Sequence, residues 1–579
     1  MIKLREPNKN QICLDRYEEL KKFPRMFDWI DRWSREIPKN ISIIEYNTGE
    51  KINWKSFATA TKAFAAKLLA MGLKKGDVVA TSLPLLKEHI YLMYACFRIG
   101  AIIAPLDLRL KVDEVDQCFE KMQPRAYFTL GKTDVADFRP IITHIYEKYS
   151  VKNGGPCRFI VQFQKELDLI VSGAIGISEF AKGIKKNYVL NGILKGTVRK
   201  AQKKVSRRDP ILIIFTTGST GYPKPALLCS ENILIQNIGL AVAFDLTHKD
   251  IMLVNLPPSH VGCTTEQLAT TLYGGGTALI LHIFNAEHSL DAIQKYKATA
   301  MGQIPALFAM EWRLPNYNQY DLSSLRFALY GGQAVTRKFL EQLSHMAPEF
   351  GTGLGLTETA GFVTYTPLDG TVDDILNSVG FDMPLCPISI REPMKLDGYA
   401  GEEKKPGEVG EICFSGPQIF LGYLNDEENT QKTISKDGIL YTGDLGYYDE
   451  LGLHFSGRAK LLIKPKGYNV FPSEVEEFIQ RRFPKKVGNV SVVGVPHEIF
   501  TEAIMAFVEK SDPGIELTVE EIQNELKELA AYKRPSHIEI LNPGEIPLNR
   551  VAKTDYMDLK KCALEIIEKL RAEKKWDAI

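Results

Sequence analysis

Residues 213–228 read IIFTTGSTGYPKPALL. An apolar run from Ile211 to Phe215 stops abruptly at Thr216, and Thr217, Gly218, Ser219, Thr220 and Gly221 follow, then Tyr222, Pro223 and Lys224. The run predicts a buried strand. Its end predicts a loop whose glycines let the backbone approach a ligand, with successive N–H groups forming an anion-binding concavity. The hydroxyls and the lysine add donors and positive charge, a composition suited to phosphate. It is not a Walker A loop, because Pro223 separates Gly221 from Lys224 and no hydroxyl follows the lysine.

Around this loop the chain is long and balanced. At 579 residues it exceeds one ordinary core, so several domains are expected. Its 72 basic residues nearly cancel 71 acidic ones, which gives no reason to expect nucleic acid or an anionic membrane as partner. Nine cysteines occur singly with no CxxC pair, the pattern of reduced thiols and not of a disulfide framework or zinc site. The start, MIKLREPNKNQ, has no apolar stretch of signal-peptide type. The most apolar segment, 91–105, is interrupted by Arg98 and too short to span a bilayer. The expectation is a cytoplasmic protein without membrane insertion.

The pattern along the chain alternates. Helices are predicted near 52–73, 87–99 and 112–122, and strands over 78–83, 101–106 and 126–130, which argues for a doubly wound, mostly parallel sheet. Residues 151–208 are less regular, and the basic run 195–208 reads as a solvated face or loop. Beyond the phosphate loop, a helix is predicted over 230–244 with Ser230 as N-cap. A strand over 252–256 then ends in Pro257, Pro258, Ser259 and His260, and a further unit follows with strand 276–281 and helix 289–296. The strand 327–330 closes in Gly331, Gly332 and Gln333, glycines at the carboxyl end of a strand, where open α/β sheets bind ligands. The last segment, 557–575, reads as a surface helix.

More motifs follow in order: Gly353-Leu354-Gly355-Leu356-Thr357-Glu358, the alternating stretch GEVGEICFSGPQIFLGYL at 407–424, and Tyr441-Thr442-Gly443-Asp444. After these come 457–476, which includes Arg458, Lys460, Lys466 and Gly467, and finally Pro547-Leu548-Asn549-Arg550-Val551-Ala552-Lys553. Each is weak alone. Together with the loop at 216–224, and in this order from about residue 25 to 558, they resemble the adenylate-forming superfamily of acyl-CoA synthetases, firefly-type luciferases and peptide-synthetase adenylation domains.

That resemblance implies an α/β fold with a large N-terminal AMP-binding domain (1–457) of doubly wound, mostly parallel sheets. A small α+β C-terminal lid domain (458–579) would rotate about a hinge at Lys460. It implies that Thr216, Thr217, Gly218, Ser219, Thr220, Gly221 and Lys224 cradle the ATP phosphates, and that Gly332 and Gln333 lie in the adenine-binding turn. Thr357 would bond the α-phosphate, Glu358 would hold Mg²⁺, and Asp444 would accept the ribose hydroxyls, an acceptor role that requires an ionised carboxylate. Arg458 would reach the ribose, and Lys553 would bridge the acid and the α-phosphate during catalysis. Lys466 and Gly467 would lie on the CoA side. His260, which follows the strand at 252–256, would line the acyl pocket together with Val261, Gly302, Gly331 and Gly355. Four positions depart from the family pattern: Pro225 and Ala552 where glycine is usual, Leu354 for an aromatic, and Leu461 for a glutamate.

The implied activity is acid plus ATP plus CoA giving acyl-CoA, AMP and pyrophosphate, with a homodimer as a candidate assembly. The alternatives are an adenylating enzyme serving a carrier protein, a luciferase-like oxygenase, and a non-catalytic acyl-nucleotide sensor. No carrier domain is fused, and a sensor need not retain Lys553 and Glu358, which are both present.

Overall fold

A computed structural model describes residues 7–216, 224–458, 461–465, 470–497, 501–548, 553–573 and 575–576. Two seven-stranded sheets carry the first two-thirds of the chain. One runs in the order 349–351, 327–330, 300–303, 251–254, 277–280, 41–45 and 50–53; the other runs 175–176, 159–163, 126–130, 78–82, 102–105, 210–216 and 224–229. In each, six strands are parallel and the last edge strand is antiparallel. The central strands are apolar on both faces, as strands covered by helices must be. Val78–Ser82, for example, is buried at every position.

The two sheets share one core. Ile43, Met252 and Phe327 from the first sheet and Val79, Ile103 and Ile214 from the second belong to a single buried cluster. The helix Ser230–Ala243, buried along its full length, belongs to the same cluster. Lys87–Ile99 is similarly enclosed, and its Arg98 is fully buried, with the guanidinium donating to both carboxylate oxygens of Asp31 at 2.9 and 3.0 Å and to Thr61 Oγ1. A charge that breaks an apolar run is thus tolerated because it is paired and hydrogen-bonded.

Residues 388–391, 410–414, 440–449 and 452–458 form an antiparallel four-stranded sheet. The C-terminal part has its own three-stranded sheet (487–497, 501–510, 537–541), covered by the helices Pro472–Arg482, Val519–Leu526 and Tyr556–Ala572.

Three local expectations are corrected. Cys229, not Ser230, caps the helix at 230; the Cys229 N–H donates to Asn232 Oδ1 at 3.0 Å, so the cap forms one residue earlier than the hydroxyl suggests. The irregular segment before the phosphate loop is helical over 184–194 and 197–202, because Ile184, Tyr188 and Val198 supply an inward face, while the basic residues of 195–208 form a solvated face. The last helix is only partly a surface helix, since Leu559, Ala563 and Ile567 are buried against Val493 and Met505.

Candidate active site

The carboxyl ends of the parallel strands converge on one region. The hairpin 210–216/224–229 pairs Thr216 with Lys224, so these two residues flank the phosphate loop; Thr217, Gly218, Ser219, Thr220 and Gly221 themselves lie outside the described residues. Pro225 sits opposite Phe215 on an edge strand, where a missing N–H leaves no ladder bond unmade, and its carbonyl accepts from Leu424 N at 2.8 Å.

Thr357–Thr359 forms a short 3₁₀ turn. It is docked onto residues 420–423: Phe420 N donates to Glu358 O at 2.8 Å, and the Tyr423 hydroxyl donates to Glu358 Oε1 at 2.5 Å. Burial and the adjacent carboxylate raise the Tyr423 pKa, so the phenol keeps the proton it donates. The Lys224 ammonium lies 5.1 Å from the centre of the Tyr423 ring. Tyr423 is a site residue that motif reading missed; its place at the end of the 407–424 block was the available signal.

Asp444 lies within the strand Leu440–Asp449, directly opposite Arg458 on the neighbouring strand, and Arg458 Nε stands 3.2 Å from Asp444 Oδ1. Burial raises the Asp444 pKa, Arg458 and Lys553 oppose that rise, and Glu358 adds to it. Lys553 arrives from the far end of the chain. A Cβ built on Gly332, whose φ is +93°, would meet its Cε at 3.5 Å and its Nζ at 3.7 Å. Burial, then the nearby Arg458 charge, lowers the lysine pKa to about 8, and Asp444 opposes this. Arg458, Asp444, Lys553 and Gly332 are therefore one cluster. Lys460, Lys466, Gly467 and Ala552 lie outside the described residues.

His260 begins the turn into a helical segment containing Val261 and residues 262–269. Burial first, and then Lys553 and Arg109, depress its pKa to about 4, with Asp107 opposing, so the imidazole is neutral at physiological pH. The Val261 side chain is buried in the main core. Gly355 pairs with Phe362, whose ring leaves no room for a Cβ there; one on Gly331 would meet the same ring at 2.9 Å. Leu354, at the position of the usual aromatic, packs in part against a cluster with Val363, Ile412 and Phe414.

Two carboxyls escaped the motif reading, the half-buried Glu266 and the fully buried Glu311. Glu266 Oε1 accepts from Phe362 N at 2.7 Å, and Glu311 Oε2 accepts from Gln303 Nε2 at 2.7 Å. Gln303 Oε1 in turn accepts from Asn255 Nδ2 at 2.7 Å, and Asn255 Oδ1 from Gln267 Nε2 at 3.2 Å. This chain ties together the strand ends at 255 and 303 and the helical segment after His260. Burial raises both carboxyl pKa values to about 7, against the weaker pull of their neutral hydrogen-bond donors.

The donor set fits the groups the motifs imply. A buried carboxylate beside a guanidinium, a strand-end glycine turn and a half-buried lysine together suit a nucleotide with an anionic reaction centre. A single carboxylate, Glu358, is the kind of ligand Mg²⁺ takes when substrate phosphates supply further oxygens.

A nucleotide-directed site at the carboxyl edge of two parallel sheets, completed by a lysine from a small C-terminal unit, defines a class of ATP-using enzyme. The chain belongs to the AMP-binding enzyme family: the family signature matches residues 30–424, and that of the AMP-binding enzyme C-terminal domain matches 474–553. Its relatives include a long-chain-fatty-acid–CoA ligase of Salmonella typhimurium, 28% identical over 91% of this chain and 96% of that protein. An indoleacetate–CoA ligase of Aromatoleum aromaticum is 27% identical over 92% and 97%. Among solved structures, ATP-bound MatB from Rhodopseudomonas palustris superposes with a TM-score of 0.75 at 23% identity, covering 94% of this chain and 99% of that one. The amide bond synthetase McbA from Marinactinospora thermotolerans gives 0.76 at 23% identity, covering 93% and 99%. The expected α/β fold, with large and small parts, is the fold observed.

Proposed function

We propose that the protein is an ATP-dependent carboxylic acid–CoA ligase acting through an acyl-adenylate. The observation that carries this reading is the half-buried Lys553 against Gly332 and beside the Asp444–Arg458 pair. Relatives named as ligases of fatty acids and of indoleacetate to CoA support the thioester product.

Forming the adenylate brings two anions together: a carboxylate oxygen attacks the α-phosphorus, and the bond to the bridging oxygen breaks as pyrophosphate leaves. A desolvated ammonium placed between acid and phosphate offsets that repulsion, and its compact charge suits a bridging role. Asp444 and Arg458 orient the ribose, Thr357 donates to the α-phosphate, and residues 216–224 hold the leaving phosphates. Mg²⁺, held by Glu358 and phosphate oxygens, supplies charge neutralisation when bound. His260, uncharged, presents an apolar-compatible wall to the acyl chain beside Gly302, Gly331 and Gly355. The small, mostly uncharged walls favour an uncharged acyl tail.

In the second step the CoA sulfur attacks the acyl carbonyl, AMP leaves, and the thiol proton is released. The domain division at 457/458, with a hinge at Lys460 and the CoA side at Lys466–Gly467, belongs to this reading. Lys553 serves adenylation, and rotation of the C-terminal domain replaces it for thioester formation.

The test is an acid screen read by chromatography. AMP and pyrophosphate are expected in equal amounts, with thioester only when CoA is supplied. Stoichiometric ADP overturns the assignment, and adenylate that forms but never passes to CoA overturns the thiol acceptor.

A further inference from the structure

Between residues 182 and 208 there are ten Lys and Arg residues and no Asp or Glu, in a chain whose net charge is only +1. Within this stretch Ile184–Asn187 continues into Tyr188–Leu194 as one helical segment. Its inner side packs on the helix Trp54–Ala70: Ile184 and Tyr188 join the main core, and a Cβ on Gly192 would lie 3.4 Å from that of Ala66. Its outer side carries Val189, Leu190, Ile193 and Leu194, which are 48, 43, 57 and 72% exposed. Lys185 and Lys186 lie on this segment, Lys195 at its end, and Arg199, Lys200 and Lys203 on or just after the next helix; all are exposed and without an acidic partner among the described residues.

We infer that this ridge is a peripheral docking surface for an anionic phospholipid bilayer. Four neighbouring aliphatic side chains at i, i+1, i+4 and i+5 are the apolar face of an interfacial helix, and a lysine- and arginine-rich surround is its anionic-headgroup contact. No helix among the described residues is long and apolar enough to cross a membrane, so the association is with the surface.

Charge selects this occupant over a second copy of the chain, since joining two such faces would press like-charged runs together. The ridge also lacks the outward aromatic anchors that dominate protein interfaces, its one tyrosine being turned inward. Nucleic acid would use the cations but not the aliphatic residues. The docking does not depend on the ligase reading.

The test is co-sedimentation of the full chain with vesicles of phosphatidylcholine alone or containing about 30% phosphatidylglycerol, a mixture that attracts polybasic segments. The chain is expected to pellet with the anionic vesicles only, and to be released by salt. Ile193→Ser/Leu194→Ser should weaken partitioning about tenfold or more through lost apolar burial, and Lys185→Gln/Lys186→Gln about tenfold or more through lost attraction. Thermal unfolding and pyrophosphate release without vesicles should be unchanged in both variants. Failure to pellet with anionic vesicles, or unaltered binding by either variant, overturns the inference. So does a wild-type dimer that the Ile193/Leu194 variant splits in the absence of lipid, which would make the ridge an interface between copies.

Discussion

Asp444 and Glu311 are both buried carboxyls, 4% and 0% exposed, yet they sit in opposite electrostatic settings. Asp444 faces Arg458 at 3.2 Å and lies within reach of Lys553; Glu311 has only the neutral donor Gln303 and the Ser289 hydroxyl. Burial pushes both pKa values up, but only at Asp444 do cations oppose it. At Asp444 the neighbouring Arg458 and Lys553 oppose the rise that burial imposes. At His260, Glu266 and Glu311 desolvation shifts each group toward its neutral form, to about 4 for the imidazole and about 7 for the two carboxyls. In the proposed ligase reading the first setting serves phosphate and ribose, and the second faces the acyl group.

The largest expected effect strikes the charged side. Lys553→Ala should slow adenylate formation about 10²–10³-fold, the scale of losing one group that stabilises developing charge. It should leave the conversion of supplied acyl-adenylate and CoA to thioester intact. In the wild type the same step should weaken as pH rises through about 8, where the ammonium loses its proton. Rapid-quench assays of the two half-reactions decide this; equal damage to both breaks the separation of roles. Gly467→Leu is expected to give the mirror image, forming adenylate but not thioester.

Next in size, Asp444→Ala should weaken ATP binding by about 1.5–3 kcal/mol, the range for hydrogen bonds to a charged group, and affect the acid far less. Calorimetric titration with each substrate measures both. Equal losses would mean that the pair with Arg458 holds the strands together and does not serve the nucleotide.

The uncharged side is tested by pH. Glu266 and Glu311 have folded pKa values near 7, above the ordinary 4.5. The protonated carboxyls therefore stabilise the fold fully below about pH 4.5, and that stability is lost as pH rises through about 7. Glu311→Gln or Glu266→Gln should each reduce the loss between about pH 5 and pH 8 by on the order of 1–3 kcal/mol. Urea midpoints at both pH values supply the measurement, and parallel pH profiles for wild type and variants would place the charge elsewhere. The smallest effect is expected at Leu354→Tyr. Restoring an aromatic next to the nucleotide should lower the KM for ATP about two- to tenfold, as one ring contact does; an unchanged KM would exclude stacking at this position.

Much of this site was legible because phosphate-binding loops and strand-end glycines are local, and their chemistry follows from neighbours in sequence. The loop after Phe215, the turn after Tyr330 and the Thr357–Glu358 pair were singled out as candidates in that way, and most of that loop lies outside the described residues. Tyr423, Glu266 and Glu311 were not. The Tyr423 hydroxyl meets a carboxylate 65 residues away. Glu266 and Glu311 look like ordinary polar positions of helices until the surrounding chain removes their water. The helix at 184–194 was also hidden, because four of its six apolar side chains face outward and blur the helical period.

The order of residues alone determined the alternation of strands and helices, the absence of a Walker A ending, and the set of motifs that marks the family. These depend on backbone preferences and side-chain types, which each segment carries with it. Only the tertiary structure decided that Arg458 faces Asp444, that Lys553 lies against Gly332, and which carboxyls have a cation beside them. Those outcomes depend on distance and desolvation, and both are set by which distant segments the packed core brings together.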